Sequence, residues 1–132
     1  MDPSFLHTII TEILEELMHS DVDAISFYRY ESHLTFENGN KLSFSAQFRF
    51  AEERLLPEAA VFDFPLVESK LVRILGHQVH QVSCDSKGTI QLNFSNGDAL
   101  IVFGDGPYEA YCISTHGKEY VFGDGTFSVI DR

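Results

Sequence analysis

The stretch "LTFENGNKL", Leu34 to Leu42, returns as "LNFSNGDAL", Leu92 to Leu100, with five of nine positions identical. Each copy centres on an Asn-Gly pair, Asn38-Gly39 and Asn96-Gly97. Asn and Gly tolerate positive φ, which a two-residue type I′ turn requires. Leu34 and Phe36 alternate before the first turn, and Leu42, Phe44, Ala46, Phe48 and Phe50 continue after it. Leu92 and Phe94, then Leu100 and Val102, do the same around the second. Alternation with period two gives each strand one buried face and one wet face. Two β-hairpins are therefore predicted, each with its register set by its turn.

The likeness continues upstream once the register slips by one residue. Val22, Ile25 and Phe27 fall opposite Val79, Val82 and Cys84, and Leu14, Leu17 and Met18 fall opposite Leu71, Ile74 and Leu75. Phe5, Leu6, Ile9, Ile10, Ile13, Leu14, Leu17 and Met18 keep helical spacing. Asp2 is a candidate cap and Pro3 suits the first turn. A second, shorter helix is predicted over about 66–75, stopped by Gly76. Between the halves, "AEERLLPEAAVFDFP" reads as a connection with a short strand at Val61–Phe64. Five glycines, at positions 104, 106, 117, 123 and 125, punctuate three further strands. The expected fold is a single α+β domain over residues 1–132. It is internally duplicated, with helix–strand–hairpin units at 9–44 and 66–102, two helices packed on a mostly antiparallel sheet or two pseudo-symmetric sheets, and extra C-terminal strands over 107–130.

Charge narrows the function. Twenty acids against nine bases give a formal net charge of -11. Such a field repels nucleic acid and anionic membrane and attracts basic partners. No apolar run reaches the ~18–20 residues that span a bilayer, and "MDPSFLHTII" lacks the basic start of a signal peptide. Two cysteines are too few for a disulfide framework. A reduced, cytoplasmic protein is expected.

The string "SNGDALIV", "GPYEAYCI" and "GKEYVFGDGTFSVI", spread over roughly Leu71 to Ile130, resembles a small bacterial domain family that is itself similar to immunity proteins of polymorphic toxin systems. Tyr111 stands where that pattern leads one to expect Trp. The resemblance implies a cytoplasmic protein without catalysis and assigns no site residues.

Chemistry-bearing residues are sparse. His77, His80, Cys84, Cys112 and His116 have spacings that echo fragments of zinc sites. In a regular strand over 79–84, however, His80 and Cys84 would share a face and His77 would point away. Cys84 aligns with Phe27 and reads as a small core residue. Cys112, four residues before His116, sits in an alternating strand and not at a helix N-terminus or in a cationic pocket, the settings that activate a thiol. Asp98, Asp105, Glu109 and Asp124 are loop or strand-end acids with no sequence sign of convergence. No catalytic residue, cofactor or metal is predicted.

The acids of the first thirty-one residues are the remaining signal. Asp2, Glu12, Glu15, Glu16, Asp21, Asp23 and Glu31 face a single Arg29. A solvated helix face accounts for such a run, and so does a docking surface for a basic protein, where charge accelerates association and selects partners. Binding energy concentrates in buried aromatic anchors, which "YRYE" and "PYEAY" offer beside their glutamates. The predicted partner-binding set is Glu12, Glu15, Glu16, Asp21, Asp23, Tyr28, Tyr30, Tyr108, Glu109 and Tyr111. The expected function is an immunity or inhibitor protein covering a basic partner, such as a nuclease toxin or a nucleic-acid-binding complex, with no direct nucleic-acid or membrane contact. A small hydrolase or ligand- or metal-binding protein with a His/Cys/Asp pocket, and a homodimeric assembly module, are the alternatives.

Overall fold

The structure, a computed structural model, describes residues 3–52, 61–64, 66, 70–106 and 109–131, with the backbone alone given for residues 3–5. Asp2, Tyr108 and most of the predicted connection lie outside the described residues. The rest is mostly β. One α-helix, α1 (Pro3–Leu14), continues into a 3-10 turn over Glu15–Leu17. Eleven strands follow: β1 (Val22–Phe27), β2 (Ser32–Phe36), β3 (Lys41–Phe44), β4 (Phe48–Ala51), β5 (Val61–Phe62), β6 (Val79–Cys84), β7 (Ile90–Phe94), β8 (Ala99–Val102), β9 (Glu109–Thr115), β10 (Lys118–Gly123) and β11 (Thr126–Asp131). They form two antiparallel sheets, ordered β1-β2-β3-β9-β10-β11 and β5-β4-β8-β7-β6.

The α+β expectation of two helices on a sheet is thus corrected. Of the predicted second helix, residues 67–69 lie outside the description, and Leu71–Ile74 form a single 3-10 turn. Its Leu71 and Ile74 are fully buried while Val72 is exposed. Spacing of three suits a 3-10 turn as well as an α-helix. The turn is tied down by an ion pair beneath it. Arg73 Nε and Nη2 donate to Asp98 at 3.0 and 3.2 Å, and the Asp98 side chain is fully buried. Asn96 Nδ2 donates to the same carboxylate at 2.9 Å.

The pairing of β1–β3 is repeated by β6–β8, residue for residue. Val22 faces Phe36, and after a bulge Ala24 faces Thr35 and Ile25 faces Leu34. Val79 faces Phe94, and after a bulge Gln81 faces Asn93 and Val82 faces Leu92. Around the Asn-Gly turns, Leu34 faces Leu42 and Leu92 faces Leu100. Gly39 and Gly97 have φ of 90° and 91°. In both turns the Asn side chain accepts a backbone N–H two residues on, from Asn40 and Asp98, each at 3.0 Å.

The predicted long arm Leu42 to Phe50 is not one strand. It breaks at Ser45–Gln47, so β3 and β4 join different sheets. The second copy breaks likewise between β8 and β9. Each copy then gives its next strand to the other: β4 pairs with β8, and β9 pairs with β3. The outer neighbours match as well. Phe48 faces and stacks on Phe62, ring centroids 5.3 Å apart, as Tyr111 does on Phe122 at 5.4 Å. Inner-face residues of both sheets make one core, among them Leu34, Phe44, Ile113 and Phe122 from one and Phe48, Leu92, Leu100 and Val102 from the other, with Ile10, Leu14 and Leu17 added by the helical segment.

Gly39 and Gly88 separate two costs of substitution. A Cβ on Gly39 meets nothing within 4 Å, so only its positive φ resists a side chain. A Cβ on Gly88, also at positive φ, would lie 2.2 Å from Phe122 Cζ. Urea unfolding should find Gly39→Val destabilised by about 1 kcal/mol or more. Gly88→Ala, despite its smaller side chain, should cost about 3 kcal/mol, since overpacking adds to strain.

Candidate functional site

Strand register divides the predicted docking residues between the two ends of the six-stranded sheet. At one end lie α1, its 3-10 extension and the start of β1, with Glu12, Glu15, Glu16 and Asp23 exposed and Asp21 half-buried. Glu16 pairs with His116, the residue after β9, at 3.0 Å. At the other end, β1 runs into the turn Tyr28–Glu31, closed by Tyr28 N–H donating to Glu31 O at 2.9 Å. Six strand residues separate the ends, about 20 Å. The acids of the helical end and the tyrosines are therefore two patches and not one.

The tyrosine end forms a cleft. Tyr28, Arg29, Tyr30, Glu31, Ser45 and Glu109 line an open depression of about 480 Å³. Ser45 and Glu109 also border a second depression of about 420 Å³, completed by Ala46, Gln47, Asp63, Phe103, Asp105 and Gly106. Ser45 and Glu109, where the chain changes sheets, form the boundary between them. Ser45 N–H donates to Ala110 O and its Oγ to Glu109 O, at 3.0 and 2.9 Å, while Phe103 N–H donates to Gln47 O at 3.0 Å. These hydrogen bonds join the two crossover segments at that boundary. Tyr28 and Tyr30 are 54% and 57% exposed. The Tyr28 ring leans on His33 at 4.8 Å, and Arg29 sits over the Tyr30 ring at 5.1 Å. Glu31, Asp63, Asp105 and Glu109 are all exposed, with Arg29 the basic residue among the lining groups. Exposed aromatics beside carboxylates can stack on and ion-pair with guanidinium or ammonium groups.

Tyr111 is removed from the predicted anchors. It is 2% exposed, stacks on Phe122, and its hydroxyl donates to Gly88 O at 2.7 Å. Tyr108 lies outside the described residues. Sequence reasoning singled out Asp105 without placing it beside Glu109, and did not name Ser45, Asp63 and Phe103 as neighbours of that end. The signal lay in extending the repeat by four residues, which sets Ala46 against Gly104 and marks both as the small residues of a crossover.

The histidines and cysteines do not converge. Among the described residues, no group of three His, Cys, Asp or Glu side chains is placed to hold a metal ion. The bulge in β6 overturns the expected shared face of His80 and Cys84: it turns Val79, Val82 and Cys84 toward the core side and leaves His80 exposed. His77 Nδ1 lies 3.2 Å from Ser95 Oγ. Cys84 and Cys112 are free and belong to different sheets. Burial and then the neighbouring Asp85 carboxylate push the Cys84 thiol up to about 12. Burial and then Glu119 also raise Cys112. Both thiols are held in their unreactive protonated form. Of the four loop or strand-end acids, Asp105 and Glu109 border one depression, and Asp124 follows Gly123, which pairs with Glu109. Asp98 is at the other end, in its ion pair with Arg73.

The model of a family of unknown function, DUF6188, matches residues 13–124. The chain belongs to that family. The DUF6188 match runs from the last residues of α1 through both hairpins and both crossovers to the turn after β10. No curated protein and no solved structure matches the chain. No helix among the described residues is long and apolar enough to cross a membrane.

The Cys84 shift sets a pH dependence. Its folded pKa exceeds the unfolded value of 9.0, so its protonated form stabilises the fold fully below pH 9, and this contribution is lost as pH rises toward about 12. Thermal melts of the parent chain should fall over that window, and those of Cys84→Ala should fall less steeply.

Proposed function

We propose that the chain is a non-catalytic, cytoplasmic binding protein that recognises a basic protein through the Tyr28–Glu109 cleft. The class that best fits its chemistry is an immunity or inhibitor protein acting on a nuclease toxin or another nucleic-acid-binding partner. The observation that carries this reading is the meeting of Tyr28, Tyr30, Glu31 and Glu109 in one depression, from parts of the chain some eighty residues apart. A nuclease presents cations where phosphates bind. A surface of aromatic anchors beside carboxylates, on a molecule of net charge -11, complements such a site in sign. The acids of the helical end add to the long-range field that draws a cation in but lie about 20 Å from the anchors. Two free cysteines on separate sheets agree with a reducing compartment.

Surface plasmon resonance against the basic protein that co-purifies with the chain separates the roles. Tyr28→Ala and Tyr30→Ala should speed dissociation, at a cost of about 2 kcal/mol for the residue that inserts. Glu31→Lys with Glu109→Lys should slow association and flatten its salt dependence, because rim charges act through the on-rate. Glu12→Lys, Glu15→Lys, Glu16→Lys together should change the on-rate less than that pair. Unchanged dissociation in both tyrosine variants contradicts the cleft. A partner with no cationic site contradicts the inhibitor reading.

A further inference from the structure

The Asn38-Gly39 and Asn96-Gly97 turns share a dipeptide but not a setting. In both, the glycine N–H donates within the turn, to Phe36 O at 2.9 Å and to Phe94 O at 3.0 Å. In both, the Asn Oδ1 accepts the backbone N–H two residues on. The side-chain amide nitrogens differ. Asn96 is half-buried, and its Nδ2 donates to the Asp98 carboxylate at 2.9 Å and to Arg73 O at 3.2 Å. Asn38 is exposed, and among the described residues its Nδ2 donates to no protein group. That nitrogen is the leaving group when an asparagine cyclises onto the main chain. The space beside it is open, since even a Cβ on Gly39 would meet nothing within 4 Å.

We propose that Asn38 is a site of covalent self-modification, deamidation through a succinimide, and that Asn96 is its protected counterpart. The Gly39 backbone nitrogen attacks Asn38 Cγ. The N–Cγ bond forms, the Cγ–Nδ2 bond breaks, and Nδ2 leaves as ammonia with the proton given up by Gly39. Water then opens the ring at either of its carbonyls. Opening at one gives aspartate and at the other isoaspartate, and both add a negative charge. At Asn96 the same attack must first break the bonds of Nδ2 to Asp98 and Arg73, the former assisted by charge. Its product would also set a carboxylate against that of Asp98, where a donor now stands. These bonds slow the reaction at Asn96 by about tenfold or more relative to Asn38.

The two products act differently on the fold. Aspartate keeps the oxygen that accepts the Asn40 N–H. Isoaspartate runs the main chain through the former side chain and lengthens it by a carbon. That happens inside a turn closed by Gly39 N–H to Phe36 O and Phe36 N–H to Asn40 O, both at 2.9 Å. The turn in turn holds the segment after α1. Asn40 Nδ2 donates to Glu16 O at 2.8 Å, and Asn38 N–H donates to Ser20 Oγ at 3.1 Å. Isoaspartate therefore loosens the helical end slowly and irreversibly, with the tyrosine turn at the opposite end of the sheet left intact.

Peptide mapping by mass spectrometry tests this on the full chain, aged at mildly alkaline pH and physiological temperature. Asn38 should convert about tenfold faster than Asn96, or more, with isoaspartate among its products. Aged in concentrated urea, the two sites should convert at similar rates. The isoaspartyl form, separated from the aspartyl form by chromatography, should exchange its amide hydrogens faster over Glu15–Asp21. Asn38→Asp should melt at the parent temperature and Asn96→Asp below it. Equal or inverted rates in the folded chain overturn the proposal, as does the absence of conversion at Asn38. A rate difference that survives in urea also overturns it, by assigning the selectivity to flanking residues and not to the fold.

Discussion

The fold depends on a reciprocal exchange of strands. Neither hairpin repeat closes its own sheet. β3 and β8 would each be a free edge without the strand supplied by the other repeat, β9 for β3 and β4 for β8. The hydrogen bonds Ser45 N–H to Ala110 O and Phe103 N–H to Gln47 O fasten the two crossovers where the chain changes sheets. Residues some sixty apart in sequence must meet before either sheet is complete, so the halves are bound to form together, and such long-range pairing is slow. The same exchange contributes to the cleft, because Ser45, at the first crossover, and Glu109, at the start of β9, both line it.

The proposed docking surface lies where the duplication diverges. In the second copy the first turn, around Gly88, is sealed by the Tyr111 hydroxyl and the Phe122 ring. In the first copy Phe48 occupies the place of Tyr111 in the register and has no hydroxyl to donate. The corresponding turn there carries Tyr28, Arg29, Tyr30 and Glu31 on the surface. The duplicated fold thus holds its own comparison: one turn is sealed against the core, and the other is exposed. A similar divergence separates Asn40, whose amide donates to Glu16 O at 2.8 Å, from Asp98, whose carboxylate takes the Arg73 guanidinium.

Both hairpins could be read from the sequence, since Asn-Gly turns and period-two alternation are local signals. The second helix was misread because Leu71, Ile74 and Leu75 fit one turn of either helix type, and the Arg73–Asp98 pair that holds the turn joins residues far apart in sequence. The bulges had a sign that strict alternation hides. Val22 to Ile25 and Val79 to Val82 are apolar pairs spaced by three, which a strand accommodates only by inserting a residue. Tyr111 lies in "AYCI", a continuous apolar run of the kind found in strands covered on both faces, and that run outweighs its polar hydroxyl. The two ends of the sheet could not be told apart in the sequence, because only register shows that Asp23 and Glu31 stand on opposite sides of the same hairpin.

Amide NMR of the chain, titrated with an arginine-rich peptide at physiological salt, tests the central claim most directly. Shift changes concentrated at Tyr28–Glu31, Ser45–Gln47 and Glu109, with little change over Glu12–Asp23, are the result this account predicts. Changes concentrated on the helical end, with the tyrosine turn silent, would contradict it.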